Sequence, residues 1–406
     1  MSQTFKQTQL DNGLTIIAEP DSNAHTAAVG FFVRAGVRDE EKALMGVSHF
    51  LEHMMFKGTA RRTAAQVNEE FDQIGANYNA STSQEVTTYY AHVLPEYLEH
   101  AIDLLTDMLR PALREEDFDM EKQVILEEIG MYEDRPFWIV LEQAMEDYFG
   151  EHPLGYRILG TNETIKSLTR DQMLDYFAHR YSPDNIVVSL AGKLDFDKCV
   201  QQIADVCAAW ERTGASRDTA SPPPHAGDQR LVKPNTSMQY LVGMAPGPSA
   251  QDDDRYAAAV LSHVIGDTDG SRLYWNLIDP GYADEAELSH HAMDGTGQFL
   301  FFASCDPEKA DQVEKILLET IDSIVKDLTD EEIERAVSKI AMDMTLQNER
   351  PAGRMMNLGG QWLYLNDYIP LEEELKRVQA VTADDLRKLV ERYPFTPRTL
   401  IRMCPA

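Results

Sequence analysis

Between Arg212 and Arg230 the chain reads TGASRDTASPPPHAGDQ, small polar residues followed by three consecutive prolines. Such a stretch can neither continue a helix nor pair inside a sheet. A chain of 406 residues is already too long for one ordinary core at about 100–200 residues per domain. The break therefore predicts two bodies of similar size, 1–212 and 230–406, joined by a linker over 213–229. The two parts also end alike. SLTRDQMLDYFAHRYSPDNIVVSLAG (Ser167–Gly192) and AVTADDLRKLVERYPFTPRTLIRM (Ala380–Met403) each open a helical pattern with Thr, close it with Arg-Tyr, then give Pro and an apolar strand. This is the mark of an internal duplication.

The first half supplies the fold class. LTIIAE (Leu14–Glu19) and AAVGFFVRAG (Ala27–Gly36) are β-rich runs bounded by Asn-Gly and Gly, whereas Ala64–Ile74 and Glu96–Leu109 space their apolar residues by three and four. NYNASTSQEVTTYYAHVL (Asn77–Leu94), rich in Thr, Tyr and Val, reads as a strand or hairpin. The order strand, strand, helix, helix, strand, helix predicts an α+β fold: two homologous domains, each a mixed or antiparallel sheet with helices packed over one face.

Composition narrows the function. A net charge of −31 opposes phosphate backbones and anionic lipid, so neither nucleic acid nor a membrane is an expected partner, and basic peptides are favoured over acidic ones. The opening MSQTFKQTQLDNG has no basic segment before an apolar run, and no long apolar stretch follows, so a cytoplasmic location is expected. Cys199, Cys207, Cys305 and Cys404 form no CxxC pair, which predicts buried, reduced thiols.

Against that background GVSHFLEHMMF (Gly46–Phe56) stands out. Val47, Phe50, Leu51, Met54 and Met55 predict a buried helix, on which His49, Glu52 and His53 share one face at i, i+3 and i+4. Burying even one neutral polar group unpaired costs roughly 2–7 kcal/mol, and a bound cation would offset that cost. Two neutral imidazoles one helical turn apart can ligate Zn²⁺, while Glu52 is better placed to take a proton from water than to complete the shell. A second helical pattern, EKQVILEEIGMYEDRP (Glu121–Pro136), carries Glu121 and Glu128 seven residues apart on one stripe, with Glu127 rotated by about 100°. Such a stripe can supply both a third ligand and a carboxylate behind a ligand.

HFLEH followed by GT, with VILEE downstream, resembles the inverted-motif zinc peptidases of the pitrilysin and insulinase group, and within it the mitochondrial-processing-peptidase-like bacterial subfamily. The likeness extends through LDNGLTIIAE, FFVRAGVRDE, NASTSQEVTTYY, HPLGYRILGT, RYSPDNIVVSLAG and GSRLYWNLIDPG. It implies one Zn²⁺ per chain held by His49, His53 and Glu128, Glu52 as general base, and Glu121 as the carboxylate behind the ligands. It further implies that Asn79 and Ala80 lie on an edge strand receiving an extended substrate. The family fold is half of a clamshell, two chains of which close as a homodimer or heterodimer around a chamber. The resemblance thus implies a zinc metalloendopeptidase acting on peptides or unfolded segments.

One departure accompanies the likeness. Many active members of the group it resembles carry an arginine and, seven residues later, a tyrosine after the SRL element, to polarise the substrate carbonyl. LIDPGYADEAEL (Leu277–Leu288) contains no arginine. The alternative is therefore a metal-retaining, non-catalytic structural or peptide-binding subunit that needs a homologous partner chain.

Overall fold

The computed structural model describes residues 4–234 and 236–406. The expectation about the chain's opening segment falls partly on residues 1–3, outside the described residues. The chain forms two compact units. The first comprises Met1–Gly130, Tyr156–Asp218 and Leu346–Tyr368; the second comprises Met131–Gly155, Thr219–Thr345 and Ile369–Ala406.

The first unit holds strands β1 (Lys6–Gln9), β2 (Thr15–Pro20), β3 (Ala27–Val33), β4 (Asn77–Thr82), β5 (Thr87–Val93) and β6 (Ile186–Gly192), in the order β1-β2-β6-β3-β5-β4. Only β2 and β6 run parallel. The second unit holds β7 (Gly227–Lys233), β8 (Gln239–Gly247), β9 (Glu285–Met293), β10 (Thr296–Cys305) and β11 (Thr399–Pro405), in the order β7-β11-β8-β10-β9 with β7 and β11 parallel. Without β1, the two sheets have one topology. The duplicated ends explain why: Thr169 and Thr382 each close a capping box at the start of the helix that leads into β6 or β11.

The helices α1 (Val47–Met55), α2 (Ala64–Gln73), α3 (Leu98–Met108) and α4 (Glu115–Glu133) belong to the first half of the chain. Most of them pack with one face of the first sheet in a core that includes Ile16, Val29, Phe31, Phe50, Leu105 and Ile125. The other face is covered too. Helix Pro351–Leu365, from late in the chain, lays Met355, Leu358 and Leu363 on Ile17, Ala28, Phe32 and Val187. The reverse exchange occurs in the second unit, where α5 (Pro136–Phe149) places Val140, Ala144 and Tyr148 against Val242, Met244 and Ile401.

Each sequence half thus gives one helix to the unit built mainly from the other half. This differs from contiguous domains with helices on one face only. The physical cause is visible in β3 and β6, every residue of which is buried; a strand apolar on both faces needs two covers. Gly30 makes the close approach possible, since a Cβ there would stand 2.4 Å from the Met355 sulfur. A buried Arg354 fork on Glu19, joined by the Tyr368 hydroxyl, fixes the added helix on β2.

All four cysteines are free and buried. Among the described residues no helix is long and apolar enough to cross a membrane.

Candidate metal centre

Helix α1 begins at Gly46, whose φ of +94° is left-handed and whose Cβ position lies 2.7 Å from the Leu159 carbonyl. Only glycine suits both conditions. The carboxylate of Glu40 reaches over this end and accepts the Gly46 N–H at 2.7 Å and the Ser48 N–H at 2.8 Å, satisfying amides that a helix start leaves unpaired. Burial pushes the Glu40 carboxyl up to about 8, although these two donors pull the other way.

The apolar face of α1 then sinks into the core. Phe50 is fully buried and stacks on Phe118 of α4 with ring centroids 4.8 Å apart, which sets the two motif-bearing helices side by side. Burying a side chain of that size contributes about 1.5–3 kcal/mol. The polar face of α1 is thereby turned towards the carboxylates of α4.

The convergence is close. His49 Nε2 lies 3.8 Å from Glu128 Oε2, and His53 Nε2 lies 3.7 Å from the same oxygen. The imidazole rings stand 4.7 Å apart, and one ligand atom from each of the three residues falls within 4.8 Å of the others. These separations are too long for hydrogen bonds. They approach the roughly 3.3–3.6 Å between ligands that each sit about 2.0–2.2 Å from one tetrahedral centre. His49, His53 and Glu128 can therefore hold a metal ion, and two imidazoles with one carboxylate is a donor set that suits zinc.

The surroundings prepare the donors. His53 Nδ1 meets Glu121 Oε1 at 2.8 Å, and Lys57 Nζ meets the other Glu121 oxygen at 2.5 Å. A proton kept on Nδ1 leaves the Nε2 lone pair free. Burial pushes Glu121 up, but His53 and Lys57 outweigh it and hold the carboxyl below its ordinary range. Burial also drives His53 down, yet Glu121, Glu128 and Glu52 hold it above the ordinary imidazole value. His49, almost enclosed, is pushed down to about 3 by burial and by the charge of His53, so it stays neutral. Its Nδ1 has no hydrogen-bond partner among the described residues.

Glu52 projects from the same face of α1. Its Oε2 accepts the Thr82 hydroxyl at 2.6 Å. Burial raises the carboxyl above its ordinary value, opposed by that hydrogen bond and by His53. Thr82 ends β4, and the alternation along the strand turns Tyr78, Ala80 and Thr82 inward while Asn77, Asn79 and Ser81 are exposed. Asn79 and Ala80 lie opposite Tyr90 and Tyr89 of β5. Strand β4 is the last in its sheet, and no further strand pairs with it among the described residues.

All seven residues singled out in the sequence thus fall in the first unit, five around the donor cluster and two on the adjacent edge strand. Glu127 is exposed, as its rotation predicts. Sequence reasoning missed Thr82, Lys57 and Glu40. The period-two pattern of β4 could have found Thr82, two residues beyond Ala80 on the same face; no sequence signal announces Glu40 or Lys57. In the second unit Arg272 is committed to Glu332 at 2.7 Å and to the carbonyls of Ile324 and Asp327.

Comparison with known proteins gives the family and the fold. Residues 15–162 match the family described as insulinase (peptidase family M16), and residues 167–340 match the peptidase M16 inactive domain. An uncharacterized zinc protease of Streptomyces coelicolor is 34% identical over 95% of this chain and 86% of its own length. An uncharacterized zinc protease of Bacillus subtilis is 31% identical over 97% and 96%. Among solved structures, a protease from Helicobacter pylori superposes with a TM-score of 0.92 at 21% identity, covering 99% of this chain and all of that one. That likeness speaks for the fold.

Proposed function

The chain belongs to the insulinase family of peptidases, M16, and from that premise we propose that it is a zinc-dependent endopeptidase. In this reading His49, His53 and Glu128 hold one Zn²⁺ and Glu52 handles the proton. The observation that carries it is the meeting of two imidazole Nε2 atoms and the Glu128 carboxylate at 3.7–3.8 Å, with a half-buried glutamate on the same face of α1.

When bound, zinc supplies Lewis acidity, lowering the pKa of water and polarising a carbonyl. Glu52 takes the proton of the attacking water and later delivers it to the leaving nitrogen, while the water oxygen forms the new C–O bond and the C–N bond breaks. Thr82 donates to Oε2, which leaves Oε1 available to take up the proton. An extended peptide adds to the open edge of β4 through main-chain hydrogen bonds near Asn79 and Ala80, so recognition reads shape more than sequence. The net charge of −31 favours basic peptides. A second homologous chain, like or unlike, closes the chamber, and the setting is the cytoplasm.

The test is zinc content together with hydrolysis of a quenched basic peptide by the purified chain, with and without chelator. Zinc near one per chain with chelator-sensitive cleavage supports the reading. Zinc retained without any cleavage favours a second reading, a metal-retaining subunit that binds peptide or needs a partner chain. The absence of arginine from Leu277–Leu288 and the engagement of Arg272 by Glu332 are what recommend that alternative, since oxyanion stabilisation would then come from elsewhere.

A further inference from the structure

The linker read from composition as a spacer is in part a fitted element. Ser216, Arg217 and Asp218 are each tied to the first unit: Arg180 donates to the Ser216 carbonyl at 2.8 Å and Arg38 Nε donates to the Asp218 carbonyl at 3.0 Å. Between them Arg217 forks onto Asp39, Nε to Oδ1 at 3.0 Å and Nη2 to Oδ2 at 2.5 Å. Nη2 also donates to the Glu85 carbonyl. The Arg217 side chain is 9% exposed and those of Asp39 and Glu85 are 1%.

We propose that Arg217 is a positioning residue for the metal centre, because the two acidic residues it locks stand next to the two segments that hold α1 and Glu52. This rests on the reading of the site as a zinc-dependent hydrolytic centre. The first line runs through Asp39 to its neighbour Glu40, whose carboxylate fixes the Gly46 and Ser48 amides; the ligand His49 is the next residue. The second runs through Glu85, in the turn between β4 and β5. That turn is bound to the same Arg38 segment, since Val37 N–H and Arg38 N–H donate to the Ser83 and Gln84 carbonyls at 3.3 and 2.8 Å, and Arg38 Nη1 reaches Glu85 Oε1 at 2.8 Å. Thr82, immediately before the turn, holds Glu52.

A surface ion pair in this place would do little. These charges are enclosed, so removing the guanidinium leaves the buried Asp39 with Arg180 at 3.2 Å as its remaining cation and the Glu85 carbonyl without this donor, and lets their segments shift. A lysine keeps the charge but not the planar fork. Arg217 touches neither metal nor substrate; it acts on the angle at which α1 presents His49 and on the rotamer of Glu52.

The experiment uses the full chain with Arg217→Gln and Arg217→Lys, measuring zinc affinity by competition with a chromogenic chelator, kcat and KM on the quenched peptide, and the thermal midpoint. The expected result for Arg217→Gln is zinc affinity and kcat each reduced about tenfold with KM within about twofold of wild type, and Arg217→Lys recovers part of both losses. Should Arg217→Gln fail to fold, Arg217→Lys alone carries the comparison. Unchanged zinc affinity and kcat in the folded variants, even with a lowered thermal midpoint, would overturn the proposal by making Arg217 a stabilising residue only. If wild type itself cleaves nothing, the peptidase reading fails, while the zinc affinities still decide the role of Arg217.

Discussion

His53 Nδ1 and Glu121 Oε1 lie 2.8 Å apart, and the Glu121 side chain is only 4% exposed. The pair fixes which imidazole nitrogen is free to face Glu128. Glu121→Gln keeps the shape but sets an amide against the Lys57 ammonium and weakens the hold on the ring. Zinc affinity should fall about 10–100-fold, measured by chelator competition. Glu127→Gln, on the exposed side of α4, should leave it unchanged.

Thr82 is the donor that opposes the upward push of burial on Glu52. Thr82→Val removes it at nearly constant volume, so the Glu52 carboxyl moves higher still and is protonated, hence inactive as a base, up to a higher pH. The acid limb of the kcat/KM profile should shift to higher pH, with activity at neutrality down about tenfold. An unmoved acid limb would separate Thr82 from the base.

In the second unit His290 sits on β9 with Nε2 donating to the Pro248 carbonyl at 2.8 Å. Burial, helped by His291, pushes it down to about 4 from 6.5. Its folded pKa is therefore depressed, so the unfolded chain binds the proton first as pH falls, and stability is lost between about 6.5 and about 4. His290→Gln cannot charge. Its stability deficit relative to wild type in urea should shrink by about 2 kcal/mol between about pH 7.5 and about pH 5.

The Phe50–Phe118 stack joins the two motif helices from below. Phe50→Ala should cost about 3–5 kcal/mol of unfolding free energy in denaturant titration. Zinc affinity should fall with it, because α1 and α4 lose the contact that fixes their spacing.

How far the sequence spoke for itself follows from particular residues. The spacing of His49, Glu52 and His53, and of Glu121 and Glu128, could be read directly, because helical periodicity fixes relative direction over two turns. The duplicated Thr…Arg-Tyr-Pro ends carried the repeated topology into β6 and β11. The exchange of α5 and helix Pro351–Leu365 could not be read, since an amphipathic pattern shows that a helix has an apolar face and not which sheet will take it. The nearly continuous apolar runs of β3 and β6 were the hints that two covers were needed. Arg217 was hidden for another reason: Gly, Ser, Thr and Pro around it describe a spacer, and its partners Asp39 and Glu85 are far away in sequence.

The most direct test of the account is Glu52→Gln in the full chain, with zinc content and peptide hydrolysis measured on the same preparation. The prediction is zinc bound as in wild type with hydrolysis reduced at least about a hundredfold, the scale of a lost general base. A zinc-loaded Glu52→Gln protein that cleaves at the wild-type rate would contradict the assignment of proton transfer to this helix.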